Sequence, residues 1–402
     1  MSPHSGKSLA NLLARIATQC NFFICGMLFA TWGVHVPTVK AQYGLSDASL
    51  SWLMLVAGIG ALLGLTQVGK WVARHGARKV VLLCGLFMSL PLAALLYMPG
   101  YPGLVVMLFI YGLFNGSFDV AMNAEAVAVE HSYKRPIMSS FHGFFSLGGM
   151  AGALVASLVA ASDLPATWHL VGVCTIGYLF VLLASFYMLP LEATHAPEEA
   201  KEPFRLPSGT ILLLGIMSAL GMVGEGAMYD WSTLYMRDEL GSPQQFAALA
   251  YGAFSAAMAL GRFGGDWARV RLGDRAMLQT TAWLSAIAMG ATLAIAHPVA
   301  ALIGFGLVGV GFSNMVPVMF SVAAKVPGIT PAKGIAGVSS LGYLGFMMGP
   351  PMIGYLAHHS RLSMALLVVA IFAVAVALLT RPAMKRISGP DKAQQVLADD
   401  KP

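Results

Sequence analysis

Three ionisable residues, Asp119, His142 and Glu225, lie inside long apolar stretches of the sequence. A charged side chain at the centre of a membrane helix costs about 2.5–3.5 kcal/mol on insertion scales. Such a residue therefore needs a polar partner, a watery cavity or a functional role. Because carboxylates and imidazoles also exchange protons, these three residues are our candidates for proton coupling.

Asp119 and His142 lie at similar distances on either side of a predicted turn near Ser132. Their depths differ by roughly 4 Å at the rise of an α-helix, so we predict that they meet across a helical hairpin. In this interpretation they form a proton-sensitive pair that lines a central cavity. The alternative is a static hydrogen bond between two helices.

Glu225 is surrounded by three nearby glycines, and Tyr229 follows one turn later on the same helix face. This glycine pattern predicts a locally broken helix, the kind of element on which transporters place substrate or ion ligands. The alternative is that Glu225 packs against an intramembrane partner. Two other acids receive different predictions: Asp230 serves an outer gate or a cap, and Glu125 pairs with loop arginines.

Aromatic, imidazole and amide side chains complete the candidate site. Rings that stack and amides that give directional hydrogen bonds are the mixture expected of a pocket for a small polar ligand. The candidate substrate-binding residues are Trp32, His35, Asn115, Asn123, Tyr229, Asn314 and Tyr343. The alternatives are that Trp32 anchors a helix at the membrane interface and that the asparagines fasten helices together.

The same residues do not form a nucleophile or metal-ligand arrangement, and no Walker loop or dinucleotide fingerprint occurs. We therefore predict no catalytic residue, no bound metal and no cofactor, and we do not expect an enzyme. The four cysteines show no paired spacing and are interpreted as packing residues.

The elements that must position these side chains are membrane helices. Of the 402 residues, 57% are hydrophobic and only 10% are charged, too few charges for a water-facing surface. The apolar stretches are continuous and about 20 residues long, which predicts helices and not a barrel. The predicted spans are 15–38, 47–68, 79–98, 102–130, 135–161, 166–190, 208–236, 244–264, 276–296, 298–324, 334–357 and 362–381.

A polar stretch divides these spans six and six. The fold class that we predict is therefore an all-α membrane protein with twelve transmembrane helices in two pseudo-symmetric six-helix bundles. Gly148 and Gly152 in the fifth span are matched by Gly345 and Gly349 in the eleventh, which indicates a repeat. The predicted domains are an N-terminal bundle at 1–190, a cytoplasmic linker at 191–207, a C-terminal bundle at 208–381 and a cytoplasmic tail at 382–402.

The basic residues predict an orientation. With both termini in the cytoplasm, the outward segments hold only Lys40, Arg237 and Arg361, and the other lysines and arginines face inward. This bias also accounts for the net charge of +6 without nucleic acid as a partner. The expected partners are the lipid bilayer, a small-molecule substrate and protons, and we expect a monomer.

The loop after the second span carries glycines and basic residues at fixed spacing, and it resembles the signature of the major facilitator superfamily. Its residues are Gly69, Arg74, Gly76, Arg78 and Lys79, which we call the gating loop. The resemblance implies a cytoplasmic gate. Ala73 stands where the superfamily usually has an acid, so one lock between the two bundles is missing. A degenerate copy of the loop follows the eighth span and runs from Gly261 to Arg275.

Further segments resemble the fucose-permease-like branch of this superfamily in bacterial inner membranes. They are Trp32 to Pro37, Asp119 to Glu130, His142 to Gly148 and Glu225 to Trp231. The resemblance implies alternating access by two rocking bundles. The leading hypothesis is proton-coupled uptake of a small polar solute, such as a sugar or related metabolite. The alternatives are proton-coupled efflux of amphipathic compounds or metabolites, and a non-transporting membrane sensor or scaffold.

Overall fold

A computed structural model describes residues 3–133, 137–162, 164–190 and 208–388, and within these ranges the chain folds into twelve α-helices. They are α1 Pro3–Gln42, α2 Asp47–His75, α3 Ala77–Ala93, α4 Tyr101–Tyr133, α5 Met138–Ala161, α6 Ala166–Ser185, α7 Gly209–Leu234, α8 Gln244–Ile295, α9 Pro298–Phe312, α10 Met315–Ala323, α11 Pro331–His359 and α12 Leu362–Ser388.

The twelve helices correspond to twelve membrane crossings, although not one to one. Helix α8 is 52 residues long, and its backbone leaves the helical region at Gly273, where φ is 78°. Glycine adopts this conformation without a Cβ clash, so α8 divides into two arms that each cross the bilayer. Helices α9 and α10 are separated only by Ser313 and Asn314 and together make one crossing.

Ten segments of the described chain are long and apolar enough to span a membrane. The other two crossings are α3, with 17 residues, and α11. All twelve predicted spans therefore correspond to helices, and the predicted fold class is confirmed. The agreement follows from the length of each apolar stretch, which must cover about 30 Å of hydrocarbon.

Several predicted ends of spans are wrong. Helix α1 begins at Pro3, well before the predicted start at 15. Helix α12 continues to Ser388, so the first part of the predicted tail is helical. Helix α7 ends in a π-helical turn at Tyr235–Glu239. The predicted linker at 191–207 and the tail from 389 lie outside the described residues.

Glycines bring one pair of helices into close contact in each bundle. A Cβ atom added at any of these positions would lie against the backbone of the neighbouring helix, so the small residue permits the approach. The contacts are Gly148 with Phe23 and Gly152 with Met27 between α5 and α1, and Gly345 with Ala219 and Gly349 with Val223 between α11 and α7. The repeat inferred from glycine spacing thus recurs as matching contacts.

The two bundles meet along α5 with α8 and along α2 with α11. Within the first bundle, α4 packs mainly on α2 and α3, whereas α5 packs on α1. Helices α4 and α5 are therefore not close neighbours, although they follow each other in the sequence. This arrangement leaves a space between the bundles at the level of the central helix segments.

Candidate functional site

A cavity of about 490 Å³ lies between the two bundles. Helices α1, α2 and α4 line it from the first bundle, and α7 and α11 from the second. Its aromatic and polar lining includes Phe29, Trp32, Tyr111, Asn115, Asp230 and Tyr343. Three of the predicted substrate-binding residues, Trp32, Asn115 and Tyr343, therefore lie on the cavity wall.

Asp230 is the acid of this cavity, and its residue is only 7% exposed. The indole N–H of Trp32 interacts with its carboxylate, and the Tyr111 and Tyr251 hydroxyls lie within electrostatic range. Both hydroxyls are buried without a hydrogen-bond partner among the described residues. Asp230 therefore faces the cavity, and its role at an outer gate or a cap stays a prediction.

A buried ion pair lies beside the cavity. The Arg262 Nη2 atom is 3.2 Å from Oε1 of Glu225, and both side chains are 14% exposed. The other terminal nitrogen of Arg262 donates to Ser146 Oγ at 2.7 Å and to the carbonyl of His142 at 3.3 Å. Since Ser146 and His142 belong to α5, Arg262 connects the two bundles.

Arg262 was not predicted as a site residue, because the motif resemblance assigns it to a basic loop on the inner side. The signal was present: Arg262 is the one charged residue of the predicted span 244–264. A buried acid in one span and a buried base in another predict a pair, since either alone is costly in lipid. Glu225 therefore has the intramembrane partner that its packing alternative required.

The predicted break in the helix at Glu225 is wrong. Helix α7 continues without interruption from Gly209 to Leu234. The glycines beside Glu225 serve packing instead: Gly224 lies against the ring of Phe312, and Gly226 against the ring of Phe346. Small residues on a membrane helix admit neighbouring side chains as readily as they weaken the helix.

Asp119 and His142 do not form the predicted pair. The Asp119 carboxylate accepts from Asn123 Nδ2 at 3.2 Å on its own helix. The ring of His142 contacts Phe22 edge to face, with 5.2 Å between ring centroids. The reason is the separation of α4 from α5, which sequence order does not reveal. Tyr343 lies within electrostatic range of both Asp119 and Glu225, so Asp119 still belongs to the surroundings of the cavity.

The remaining predicted residues lie away from the cavity wall. His35 Nε2 is 2.8 Å from Nδ1 of His169 in a buried contact between α1 and α6. Asn314 Nδ2 donates to the Gly261 carbonyl at 2.7 Å, which fastens the start of α10 to α8. The Tyr229 hydroxyl lies 3.5 Å from Glu225 Oε1, beside the ion pair.

Glu125 does not pair with loop arginines. It is fully buried, and its Oε1 accepts from the backbone N–H of Leu189 at 2.6 Å. The prediction is wrong because the chain just beyond α6 packs against this carboxylate, so the backbone N–H of Leu189 is its partner in place of an arginine.

Polar contacts also join the bundles at one end of the molecule, which we call the Lys40 end. Lys40 Nζ lies 2.7 Å from carboxylate oxygens of both Asp47 and Asp238. Gln244 Nε2 donates to the Val34 carbonyl at 2.8 Å. The structure is therefore closed between the bundles at this end.

The gating loop lies at the opposite end, which we call the Arg74 end. Arg74, Arg78 and Lys79 are exposed, and the guanidinium of Arg78 stacks over Phe186 of its own bundle at 5.6 Å. Among the described residues, these three make no ion pair with the second bundle. The gating loop therefore contributes no ion pair between the bundles, and the polar contact between them nearer this end is the one that Arg262 makes with α5.

Comparison with known proteins agrees with this architecture. The Major Facilitator Superfamily profile matches residues 19–328 and 226–399. The chain belongs to the major facilitator superfamily. An uncharacterised MFS-type transporter of Yersinia pestis is 35% identical over 364 residues, which cover 90% of this chain and 94% of the relative. The protein is therefore a multi-pass membrane transporter of this superfamily and is not an enzyme.

Two solved structures share the fold at low identity. The nucleoside transporter NupG superposes with a TM-score of 0.69 at 14% identity, covering 94% of this chain and 99% of NupG. The fucose:proton symporter FucP of E. coli, in a variant with one substitution, superposes with a TM-score of 0.61 at 18% identity, covering 91% of this chain and 98% of FucP.

Proposed function

We propose that this protein is a proton-coupled secondary transporter of the fucose-permease-like branch that takes up a small polar solute, such as a sugar or related metabolite, by alternating access. The observation that carries the proposal is the bridge made by Arg262, which binds Glu225 in its own bundle and Ser146 in the other. One side chain thereby connects a titratable acid to the contact between the bundles.

The bridge provides a physical route from proton binding to movement. Protonation of Glu225 removes the negative charge that offsets the buried Arg262 guanidinium. An uncompensated buried charge is unfavourable by several kcal/mol, so the balance shifts toward the orientation in which Arg262 finds water or another anion. A ligand biases two states only through such a difference in interaction free energy.

Two observations support uptake of a polar solute. The FucP neighbour is a fucose:proton symporter, and the cavity combines ring faces with Asn115 and Asp230. Asp119 and His142 remain further candidates for proton coupling, because both lie on helices that border the bridge or the cavity. Trp32, Asn115 and Tyr343 are the residues that we propose contact the solute.

Efflux of amphipathic compounds is the second candidate function. Methionine and other apolar side chains, including Met54, Met347 and Leu344, form a large part of the cavity wall. Flexible methionines adapt to ligands of different shape. A cavity of about 490 Å³ is also large enough for such a ligand.

The remaining parts of the proposal concern placement. We propose a monomer in the bacterial inner membrane with both termini in the cytoplasm, so that the Lys40 end faces outward. The bias of basic residues toward the other side supports this orientation. In this orientation the Lys40 end is closed toward the outside, and the two bundles divide at the 191–207 segment.

Reconstituted vesicles test proton coupling directly. Purified protein is placed in liposomes that contain a pH-sensitive dye, and fucose, glucose, sugar acids, amino acids and lipophilic amines are added singly outside. We expect one class to drive protons into the vesicle with it. Glu225→Gln should abolish this proton movement, whereas Glu239→Gln, which removes an exposed acid outside the cavity and can still accept from the backbone N–H of Ser363, should retain it.

An Asp119→Asn variant measured in parallel separates the two acids. If Glu225→Gln transports its substrate with unchanged pH dependence, the bridge does not couple protons. A ligand that binds but never moves across the vesicle membrane, with or without protons, would contradict transport and favour a sensor. Opposite movement of substrate and protons would favour efflux.

A further inference from the structure

Asp230 is a buried acid on the cavity wall with no cation beside it among the described residues. Asp119 and Glu125 also lack a cation, but neither lines the cavity: Asp119 accepts from Asn123, and Glu125 accepts from the backbone N–H of Leu189. The Glu225 charge is compensated by Arg262, and Lys40 compensates Asp47 and Asp238. Asp230 has the neutral indole of Trp32 as its polar partner among the described residues. Since a buried carboxylate without a cation is costly, this position calls for a positive charge from another source.

The cavity wall does not supply that charge. None of the described residues that line it is a lysine, an arginine or a histidine. An anionic solute would therefore meet Asp230 without any compensating group, so the cavity disfavours carboxylates and phosphates by simple repulsion.

The other groups around the carboxylate suit a hydrogen-bond donor. The Asn115 Oδ1 atom and the Tyr111 hydroxyl are buried without partners among the described residues, so they are free to accept. The rings of Phe29, Trp32 and Phe346 line the same cavity. Aromatic faces attract a cation, and they do so more strongly the further the cation is desolvated.

We propose that the cavity binds a solute that carries a protonated amine on a ring-sized body, with Asp230 as the counter-ion of the amine and the aromatic rings around its carbon skeleton. This inference assigns a substrate class to the transport site and so rests on the proposed function. It identifies Asp230 as a substrate-binding residue, separate from the Glu225–Arg262 pair that couples protons.

Two matched series of probes test the charge preference. The first is cyclohexylamine, cyclohexanol and cyclohexanecarboxylate, and the second is glucosamine, glucose and glucuronate. Within each series the ring is retained and the charge changes from positive to neutral to negative. Binding of each probe to the detergent-purified full-length protein is measured by calorimetry at neutral pH.

We expect the amine of at least one series to bind about tenfold more tightly than its neutral partner, and the acid to bind most weakly. Asp230→Asn retains the shape of the side chain and its ability to accept from Trp32, and it should reduce the amine preference to about twofold or less. Asp274→Asn removes the same charge outside the cavity and should leave the preference unchanged.

Equal binding of the amine and the neutral probe, tighter binding of the acid, or failure of both amines to bind would overturn the proposal. An Asp230→Asn protein that folds, as judged by gel filtration, and keeps the full amine preference would also overturn it. The comparison of probes on the unmodified protein stands even if the variant fails to fold.

Vesicle transport distinguishes this inference from the proposed function. Amines that bind selectively but never cross the membrane would leave the assignment of Asp230 intact and contradict transport. Proton-coupled movement of a neutral or anionic solute, with no amine preference, would support transport and contradict the assignment of Asp230.

Discussion

Two polar clusters join the bundles, and they differ in their access to water. Lys40, Asp47 and Asp238 form the cluster at the Lys40 end, with side chains 21%, 26% and 39% exposed. Arg262 and Glu225 are 14% exposed and reach the other bundle through Ser146. Water replaces the contacts of the first cluster whenever the bundles separate, whereas the second cluster needs new partners from within the protein.

The difference suits the two clusters to separate tasks in the proposed transport cycle. Fully exposed ion pairs contribute about 0–1 kcal/mol, and the partly exposed pairs at the Lys40 end should lie nearer to this value than the Arg262 pair, so this end can open and close at lower cost. Removal of one partner from a buried pair costs about 3–5 kcal/mol. The Arg262–Glu225 pair is costly to leave incomplete and is therefore suited to control the cycle. The Lys40 cluster can exchange its contacts for water and is therefore suited to seal one end.

The largest effect is expected from Arg262→Met. This change leaves the Glu225 carboxylate buried without its cation, so we expect transport to be lost and the free energy of unfolding to fall by about 3–5 kcal/mol. Thermal unfolding in detergent measures the stability, and vesicle uptake measures transport. The double variant Glu225→Gln with Arg262→Met should recover much of the stability but not transport. A stable single variant would show that the pair is not buried as described.

Ser146→Ala should have an intermediate effect. It removes the 2.7 Å bond to Arg262 but leaves the ion pair with Glu225, and hydrogen bonds to charged groups contribute about 1.5–3 kcal/mol. The matched control is Ser157→Ala, which removes a neutral bond between the same two helices, to the Gln245 carbonyl. We expect only Ser146→Ala to change the pH dependence of transport. Equal effects of both variants on that profile would argue against a coupling role for Arg262.

Lys40→Gln should have the smallest effect. The loss of two exposed ion pairs should lower stability by about 1 kcal/mol or less, and salt should screen most of it. Unfolding temperatures of the variant and the unmodified protein, compared at low and high salt, should converge as the salt concentration rises. If the unfolding temperatures still differed strongly in high salt, the Lys40 cluster would behave like the buried Arg262–Glu225 pair, and the contrast between the two clusters would not hold.

The sequence predicted the helices well because their lengths are fixed by the bilayer. The spans of α2 and α6 begin where they were predicted, at Asp47 and Ala166. Glu225 was also selected from the sequence, because the cost of a charge in lipid can be read from the sequence alone, and the structure gives it a partner in Arg262. These predictions depend on distances along the chain or on the chemistry of single residues.

The errors concern which helices are neighbours. Asp119 and His142 lie at similar depths, but α4 and α5 pack against different helices, so their side chains do not meet. Arg262 was assigned to a loop because a motif resemblance outweighed its place at the end of an apolar span. The position of Asp230 on the cavity wall was not predicted, because the rotation of α7 about its own axis is set by packing, which the sequence pattern does not determine.

The glycine contacts have a consequence for how the two halves of the chain diverged. The matching contacts pair Phe23 with Ala219 and Met27 with Val223, and the same alignment pairs Phe29 with Glu225. At this position the first half therefore has the ring of Phe29 on the cavity wall, and the second half has the carboxylate of Glu225 beside the cavity. The two halves are alike at these backbone contacts and differ at this position, where a neutral ring in the first half corresponds to a charged group in the second.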